Sequence, residues 1–425
     1  MTNKSLKILL TGCLVVCFFQ SNSQVNALEN SAEFIMKGIE YHGDQKYQSA
    51  VKQYEKVHRN DTNYALSLYE KSLSLLAGED FKECIIACKE GVKLPPSSNE
   101  AYFYTTYGSA LSDLEEFDES IAIFKKGIHL YPHNSSLRFN LALVQLRAKK
   151  YDEGLNTLYK NLEDNPFHGK SHLLLGEIAK QKGYPTKTLL AYSMYLMMED
   201  RSAAGQAILQ NIDAYANSKM DDEGEYEGIT LANDGFGNLD ELVFNKIAIN
   251  DKYKTPSYFK FPYVKQLYLI SSSLDQIEAD EDDFWIRFYI PLVKQIMADE
   301  EFRGFTSYLL RSGKTYNATI AKGLEKSSKD KSSFISWFQD NFTEMYAMHT
   351  VDNKKVQYHY DNGKLLAIGN FSSDSKEKTA DWSYFKNTGS LSAKGLYENN
   401  EKIDTWKYYH SGNRLESWYE MKDGK

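Results

Sequence analysis

The stretch GSALSDLEEFDESIAIFKKGIHLYP, residues 108–132, contains the pattern that decides the fold. Gly108 is followed twelve residues later by Ser120, and Phe124 comes four residues after that. A small residue on one helix lets a second helix pack closely, and a large ring on the second helix fills the remaining gap. Pro132 then stops the second helix, because its ring cannot continue the backbone hydrogen bonds. The stretch therefore predicts two packed helices.

The same pattern occurs five times along the chain. The small residues of the first helices are spaced by 34, 36, 34 and 34 residues: Gly38, Ser72, Gly108, Ala142 and Gly176. The second helices repeat a small residue and, four residues later, a larger one: Ala50 and Tyr54, Cys84 and Cys88, Ser120 and Phe124, Gly154 and Leu158, Thr188 and Tyr192. Stacked units of one type bury a core that no unit buries alone, so the period predicts a helical solenoid.

Residues 31–200 resemble five tetratricopeptide repeats, and the fifth departs from the family pattern because Asp200 stands where a proline is expected. The phase is lost after Asp200, and residues 202–216 are predicted to form a further helix that caps the solenoid. Glycine and acidic residues then indicate a linker, so residues 201–234 are interpreted as a capping helix and acidic linker. Because about three repeats make a stable stack, we expect residues 31–216 to fold alone.

The resemblance implies that the first helix of each repeat lines a concave groove, which such solenoids use to bind extended peptides or partner helices. The second, fifth, ninth, twelfth and thirteenth positions of each repeat, called groove positions below, predict a mixed partner-binding surface: Tyr69, Tyr102, Thr105, Ser109, Asp113, Phe139, Arg147, Lys170, Glu177 and Lys180. Some chaperone-adaptor members bind a peptide carboxylate through lysine and asparagine, but Ile35 and Ile39 stand at such positions here. The alternative is that these side chains pack between helices or face water.

The N-terminus has the order of a secretory signal. Met1–Lys7 carries two lysines, residues 8–19 are mostly apolar, and Val25-Asn26-Ala27 is a small-residue ending, so residues 1–27 are predicted to be removed. An alternative is lipidation, since Leu10-Thr11-Gly12-Cys13 resembles a bacterial lipobox. The apolar run continues past Cys13 and favours plain cleavage. The protein is expected to be exported, to the periplasm, the outer membrane or the exterior.

Charge and cysteine content limit the partners. Fifty basic against fifty-eight acidic side chains give a net charge of −8, so no overall positive field attracts nucleic acid. After cleavage only Cys84 and Cys88 remain, four residues apart on a predicted helix. Their spacing permits a disulfide in an oxidising compartment, but both occupy positions that the repeat reserves for buried residues. We predict two core thiols, which pack as small hydrophobic groups.

Residues 235–349 are predicted to be a second helical domain. Apolar residues recur at helical spacing, as in Trp285, Phe288, Tyr289 and Leu292, and indicate five or six helices whose aromatic side chains form a core. The acidic run 278–283 lacks the glycine and alternating ligands of a calcium loop and fits helix capping.

The sequence contains no complete catalytic motif. Residues 312–315 read Ser-Gly-Lys-Thr, but Tyr308 stands where a phosphate-binding loop needs glycine. His168 and His172 have metal-ligand spacing, but a turn at His168 interrupts them. We therefore predict no enzyme activity, no metal and no cofactor.

The tail changes from helical to strand periodicity. Gly363, Gly389 and Gly412 are each flanked by aromatic-rich runs, as in Trp382-Ser383-Tyr384-Phe385 before Gly389 and Gly395-Leu396-Tyr397 after it. Such glycines supply the positive φ of a β-hairpin turn. Residues 350–425 resemble the bacterial MORN variant, of the kind found with toxin-antitoxin components, in which hairpins stack through interlocked Trp and Tyr. The resemblance implies an interaction or structural module.

The sequence thus predicts a mainly α protein: a tetratricopeptide-like solenoid, a second helical domain and a C-terminal antiparallel β-hairpin module. We expect an exported bacterial scaffold that binds a protein or peptide partner in the groove, with no nucleic acid and no membrane span in the mature chain. One alternative is a cell-envelope glycan-binding protein that uses the aromatic-rich middle or C-terminal domain. Another is an enzyme in residues 235–349, which a pocket holding several carboxylates or histidines would favour.

Overall fold

The computed structural model describes residues 31–94, 100–198, 203–217, 235–278, 282–315, 317–347, 355–359, 365–371, 378–386, 390–399, 401–410 and 415–421. The predicted signal sequence with Cys13, most of the acidic linker and the three hairpin-turn glycines Gly363, Gly389 and Gly412 lie outside these residues. The chain divides into two compact units. Unit 1 comprises Met1–Pro132 and Leu143–Ala148, and unit 2 comprises His133–Ala142 and Lys149–Lys425.

Eleven helices occupy the described part of residues 31–217. They are α1 (31–43), α2 (Tyr47–Tyr54), α3 (Tyr64–Ala77), α4 (Phe81–Gly91), α5 (Glu100–Asp113), α6 (Phe117–Leu130), α7 (Ser135–Arg147), α8 (Tyr151–Asp164), α9 (Gly169–Gln181), α10 (Pro185–Met198) and α11 (Ala203–Asn217). The first ten form five helix pairs in the order that the repeat predicts. The odd-numbered helices α1 to α9 are the first helices of the five repeats.

The packing of small against large residues is confirmed in both units. In unit 1, a Cβ added at Gly38 or Gly108 would overlap the ring of Tyr54 or Phe124, respectively. In unit 2, a Cβ at Gly176 would lie 2.6 Å from the ring of Tyr192. Each ring therefore rests directly on the backbone of the first helix, which is the close approach that the sequence pattern predicted.

A left-handed residue ends the first helix of every repeat, a feature that sequence reasoning missed. Gln45, Glu79, Glu115, Lys149 and Gly183 all have φ between 59° and 72°. In four repeats the next residue donates its N–H to the carbonyl five residues back, as Asp80 does to Leu75 at 2.8 Å. This is the Schellman arrangement, which satisfies carbonyls left open at a helix end. Only the fifth repeat has a glycine at this position, Gly183, and glycine is the usual sequence signal for this helix end.

Seven α-helices lie in the described part of residues 235–347, where five or six were predicted. They are α12 (Gly237–Phe244), α13 (Pro262–Ser272), α14 (Phe284–Phe288), α15 (Ile290–Ala298), α16 (Phe302–Leu309), α17 (Ala318–Lys326) and α18 (Ser328–Ala347). The carboxylate of Asp283 caps α14, accepting hydrogen bonds from the N–H groups of Trp285 (2.8 Å) and Ile286 (3.3 Å). The capping role predicted for the acidic run is confirmed at this residue.

Within unit 2 these helices pack on the last repeats. Asp240 accepts a hydrogen bond from the N–H of Thr186 at the start of α10 (2.8 Å), and the Tyr263 hydroxyl lies 2.7 Å from Ser193 Oγ. All residues of α10 except Met198 are buried. Even Lys187 is enclosed, with its ammonium 5.2 Å from the Phe236 ring. Repeat 5 is thus covered by the middle helices as well as by α11.

The tail forms one antiparallel sheet in unit 2. Its six strands, β1 (Lys355–His359), β2 (Leu365–Phe371), β3 (Lys378–Phe385), β4 (Leu391–Glu398), β5 (Glu401–Tyr409) and β6 (Leu415–Met421), lie in sequence order. Trp382 and Trp406 are fully buried, and a Cβ at Gly395 would lie 2.5 Å from the ring of Trp406. Each tryptophan therefore rests on a glycine of the preceding hairpin. In the last hairpin, β5 with β6, Tyr419 on β6 occupies the glycine's position and lies opposite Trp406.

The predicted fold class is confirmed: a mainly α protein with a tetratricopeptide-like solenoid, further helices and a C-terminal antiparallel sheet. Among the described residues, no helix is long and apolar enough to cross a membrane.

Candidate partner-binding surface

Two tyrosines on neighbouring first helices form the centre of the candidate surface in unit 1. Tyr69 on α3 and Tyr102 on α5 are stacked, with ring centroids 5.4 Å apart and planes at 29°. Both rings are half-buried, and Tyr69 also meets the buried Phe103 edge-on at 6.0 Å. Burial raises the pKa of Tyr69 to about 12, so its hydroxyl is uncharged at neutral pH.

Polar groups follow along α5. Thr105 is half-buried and its hydroxyl donates to the Ala101 carbonyl at 3.2 Å, while Ser109 is half-buried further along the same face. Asp113 accepts a hydrogen bond from Arg147 at 2.9 Å, and the Arg147 guanidinium also donates to Ser112 Oγ at 2.6 Å. The structure therefore brings Asp113 and Arg147 together as an exposed ion pair.

The four remaining predicted residues belong to unit 2. Phe139 is half-buried against the ring of His168, 5.2 Å away, and Lys170 is exposed. Glu177 hydrogen-bonds the Tyr192 hydroxyl, and this bond adds to burial in raising the pKa of Tyr192. The Lys180 ammonium lies 5.7 Å from the Tyr215 ring. None of the ten predicted residues is fully buried.

Sequence reasoning missed the aliphatic part of this surface. Leu66 and Leu73 occupy groove positions of the second repeat, on the face of α3 that carries Tyr69, and Leu66 is 37% exposed. Ile39, which occupies in α1 the position that Leu73 occupies in α3, is 47% exposed. The position count that identifies Tyr69 also identifies these residues. We call Ile39, Leu66, Tyr69, Leu73 and Tyr102 the apolar lane.

Two clefts lie elsewhere. One in unit 1, of about 350 Å³, has Ile86 and Ala87 in its lining beside charged residues that pair with one another, such as Lys71 with Glu55 at 2.8 Å. One in unit 2, of about 250 Å³, is lined by α11, α17 and the start of α13. Its single carboxylate, Asp213, accepts the Tyr263 N–H at 3.0 Å, and burial raises its pKa. A helix-capping role accounts for that carboxylate.

The residues weighed as metal ligands have structural partners. His172 Nε2 donates to the Pro166 carbonyl (2.9 Å), so Nδ1 accepts from the Tyr289 hydroxyl (2.8 Å). His168 caps α9 by accepting the Ser171 N–H. Cys84 and Cys88 are buried free thiols, which confirms their predicted burial. No group of three or more His, Cys, Asp or Glu side chains in the described ranges could hold a metal ion.

Comparison with known proteins identifies the repeat. The tetratricopeptide repeat family profile matches residues 101–134, which cover α6 and all of α5 but its first residue. A TPR repeat-containing protein of Methanocaldococcus jannaschii is 27% identical over 139 residues, 33% of this chain and 24% of that protein. The peptidyl-prolyl cis-trans isomerase FKBP4 of Bos taurus is 26% identical over 155 residues, 33% of each chain. This chain therefore spans about a quarter and a third of their lengths.

Two solved structures are similar to part of this chain. MamA is 19% identical, with a TM-score of 0.31 over 37% of this chain and 92% of that one. YrrB, described as a TPR protein with an unusual peptide-binding site, is 14% identical, with a TM-score of 0.31 over 47% and 97%. The repeat class of this chain rests on the family profile and on its own helix pairs. A tetratricopeptide repeat therefore occupies residues 101–134 of this chain.

Proposed function

We propose that this protein is an exported bacterial interaction scaffold that binds a protein or peptide partner on the apolar lane of unit 1. The observation that carries the proposal is the stacked, half-exposed pair Tyr69 and Tyr102 on neighbouring repeats. Large aromatic side chains dominate binding hot spots, because they bury much area at little cost in rotamer entropy. The proposal assigns the chain no catalytic role.

The other parts of the chain support this role. The middle helices cover repeat 5 and so close the solenoid's apolar end within unit 2. The tail is proposed to be a MORN-variant module, supported by the two buried tryptophans that rest on Gly369 and Gly395. Export by residues 1–27 is proposed from the signal pattern alone, and retention through lipidated Cys13 is its alternative.

The proposal is tested by selecting binders from a random-peptide library on the full-length protein. The selected peptides are then measured against Tyr69→Ala and Tyr102→Ala. Tyr258→Ala is the matched control, because Tyr258 lies in the loop before α13 and is 43% exposed. We expect both lane variants to weaken binding and the control to leave it unchanged. Selected peptides that bind all the variants equally would exclude the apolar lane as the binding site.

One observation favours glycan binding as a second candidate function. Trp418 on β6 is 57% exposed, and its register partner on β5 is the exposed Lys407. A free indole face beside a hydrogen-bond donor suits a sugar ring. Probing a glycan array with the full chain and with Trp418→Ala tests this candidate, since binding that survives the substitution would place glycan elsewhere.

A further inference from the structure

The first three repeats present almost no charge at their groove positions. Of the fifteen such positions, only Asp113 carries a formal charge at neutral pH. Its carboxylate is already paired with Arg147 at 2.9 Å, and Arg147 is held a second time by Ser112 Oγ. The other charged residues of these first helices, Glu33, Lys37, Glu40, Glu70, Lys71 and Glu100, lie outside the groove positions.

The five residues of the apolar lane are also partly exposed. Ile39 and Leu66 are 47% and 37% exposed, and Tyr69, Leu73 and Tyr102 are half-buried. Covering such apolar area releases free energy in proportion to the area removed from water. A free C-terminus would need polar partners instead, because a carboxylate taken out of water must be paired with a cation or several N–H donors. Beyond the first turn, the N–H groups of these first helices already donate within the helices.

We infer that the partner segment bound by the apolar lane is internal to its chain, uncharged, and carries apolar side chains. This inference rests on the function proposed above and names the chemistry of its ligand. Neighbouring helices pack roughly 9 Å apart, so three first helices span roughly 20 Å. An extended segment of about six residues covers that distance.

The test uses three synthetic peptides and the full-length protein. The first alternates Leu, Ser, Phe, Ser, Leu and Ser with acetylated and amidated ends, the second has a free C-terminal carboxylate, and the third has lysine in place of Leu and Phe. Affinities are measured by calorimetry. We expect the blocked peptide to bind at least as tightly as the free acid, and the lysine peptide to bind about tenfold more weakly or worse.

Matched variants locate the binding. Leu66→Glu places a charge in the lane and keeps α3, because an acidic residue in the first turn suits the helix dipole. Ile86→Glu is the control: Ile86 is 58% exposed on α4 and lines the other cleft of unit 1. We expect Leu66→Glu to weaken the blocked peptide about tenfold and Ile86→Glu to leave its affinity unchanged.

The possible failures are distinguishable. If the free acid or the lysine peptide binds about tenfold tighter than the blocked peptide, and Tyr102→Ala abolishes that binding, the inference is overturned while the proposed function stands. If Ile86→Glu rather than Leu66→Glu weakens binding, the segment lies in the cleft and both are overturned. If none of the three peptides binds, both are overturned as well.

Discussion

At the scale of single residues, the repeat depends on pairs of one small and one large side chain. Gly108 and Phe124 lie on the two helices of the third repeat, and Gly38 and Tyr54 on those of the first. In each pair the two residues are sixteen positions apart in sequence. The pairing was predictable because both members fall within one period. The left-handed residues were not, since Gln45, Glu79, Glu115 and Lys149 are charged or polar residues that carry no turn signal.

Gly108→Ala should therefore destabilise the protein. The added Cβ would overlap the Phe124 ring, and relieving such overpacking costs about 1–3 kcal/mol. Urea unfolding measures the change. Gly43→Ala is the control, because nothing lies within 4 Å of its added Cβ, and alanine in place of helical glycine should stabilise by up to about 1 kcal/mol. Equal effects at the two positions would contradict the pairing.

At the scale of elements, helix identity was predictable and helix partners were not. Local spacing gives α1 to α11, but the hydrogen bond between His172 on α9 and Tyr289 joins residues 117 apart in sequence. The near-uniform burial of α10 follows from such distant contacts. Within the apolar lane, the groove-position count predicted Tyr69 and Tyr102, but Leu66 and Leu73 at equivalent positions were not predicted.

The two buried histidines at the start of α9, His168 and His172, predict that the stability of the protein depends on pH. Burial lowers the pKa of His168 to about 4 and that of His172 to about 3, against about 6.5 in an unfolded chain. Below pH 6.5 the unfolded state binds more protons, so the free energy of unfolding falls as the pH drops toward 4. The loss at pH 5 is about 2 kcal/mol for each histidine. Burial also raises the pKa of the carboxyls of Asp213 and Glu70, and a raised carboxyl pKa acts in the opposite direction.

His168→Asn separates capping from titration. Asparagine is a good helix N-cap, so it keeps an acceptor for the Ser171 N–H that His168 now caps. We expect near wild-type stability at pH 7.5 and a shallower loss of stability between pH 6.5 and 5 in urea titrations. An unchanged slope would show that His168 does not contribute to the acid sensitivity.

The sheet gives a second prediction at this scale. Gly395→Ala places a Cβ 2.5 Å from the Trp406 ring, which must then leave its buried site. We expect red-shifted tryptophan fluorescence and faster hydrogen exchange in β4 and β5. Gly237→Ala, with nothing within 4 Å of its Cβ, is the control. Unchanged exchange in β4 and β5 would contradict the stacking of Trp on Gly.

At the scale of the whole molecule, the end of the solenoid depends on the middle helices. The sequence predicts that residues 31–216 fold alone, whereas the structure places Asp240 and Tyr263 against α10. A fragment of residues 31–217 lacks that cover. We expect it to bind the dye ANS and to unfold at lower urea than a fragment of residues 31–347. Coincident unfolding curves without dye binding would show that repeat 5 needs only α11.

The central claim is that the apolar lane of unit 1 binds the partner. The most direct measurement is the affinity of the blocked Leu/Phe peptide for the wild-type protein and for Tyr102→Ala, with the free energy of unfolding determined on both. We predict a loss of about 1–4 kcal/mol in binding and a change of about 1 kcal/mol or less in stability. Unchanged affinity in Tyr102→Ala would contradict the claim, as would a loss of fold stability without a loss of affinity.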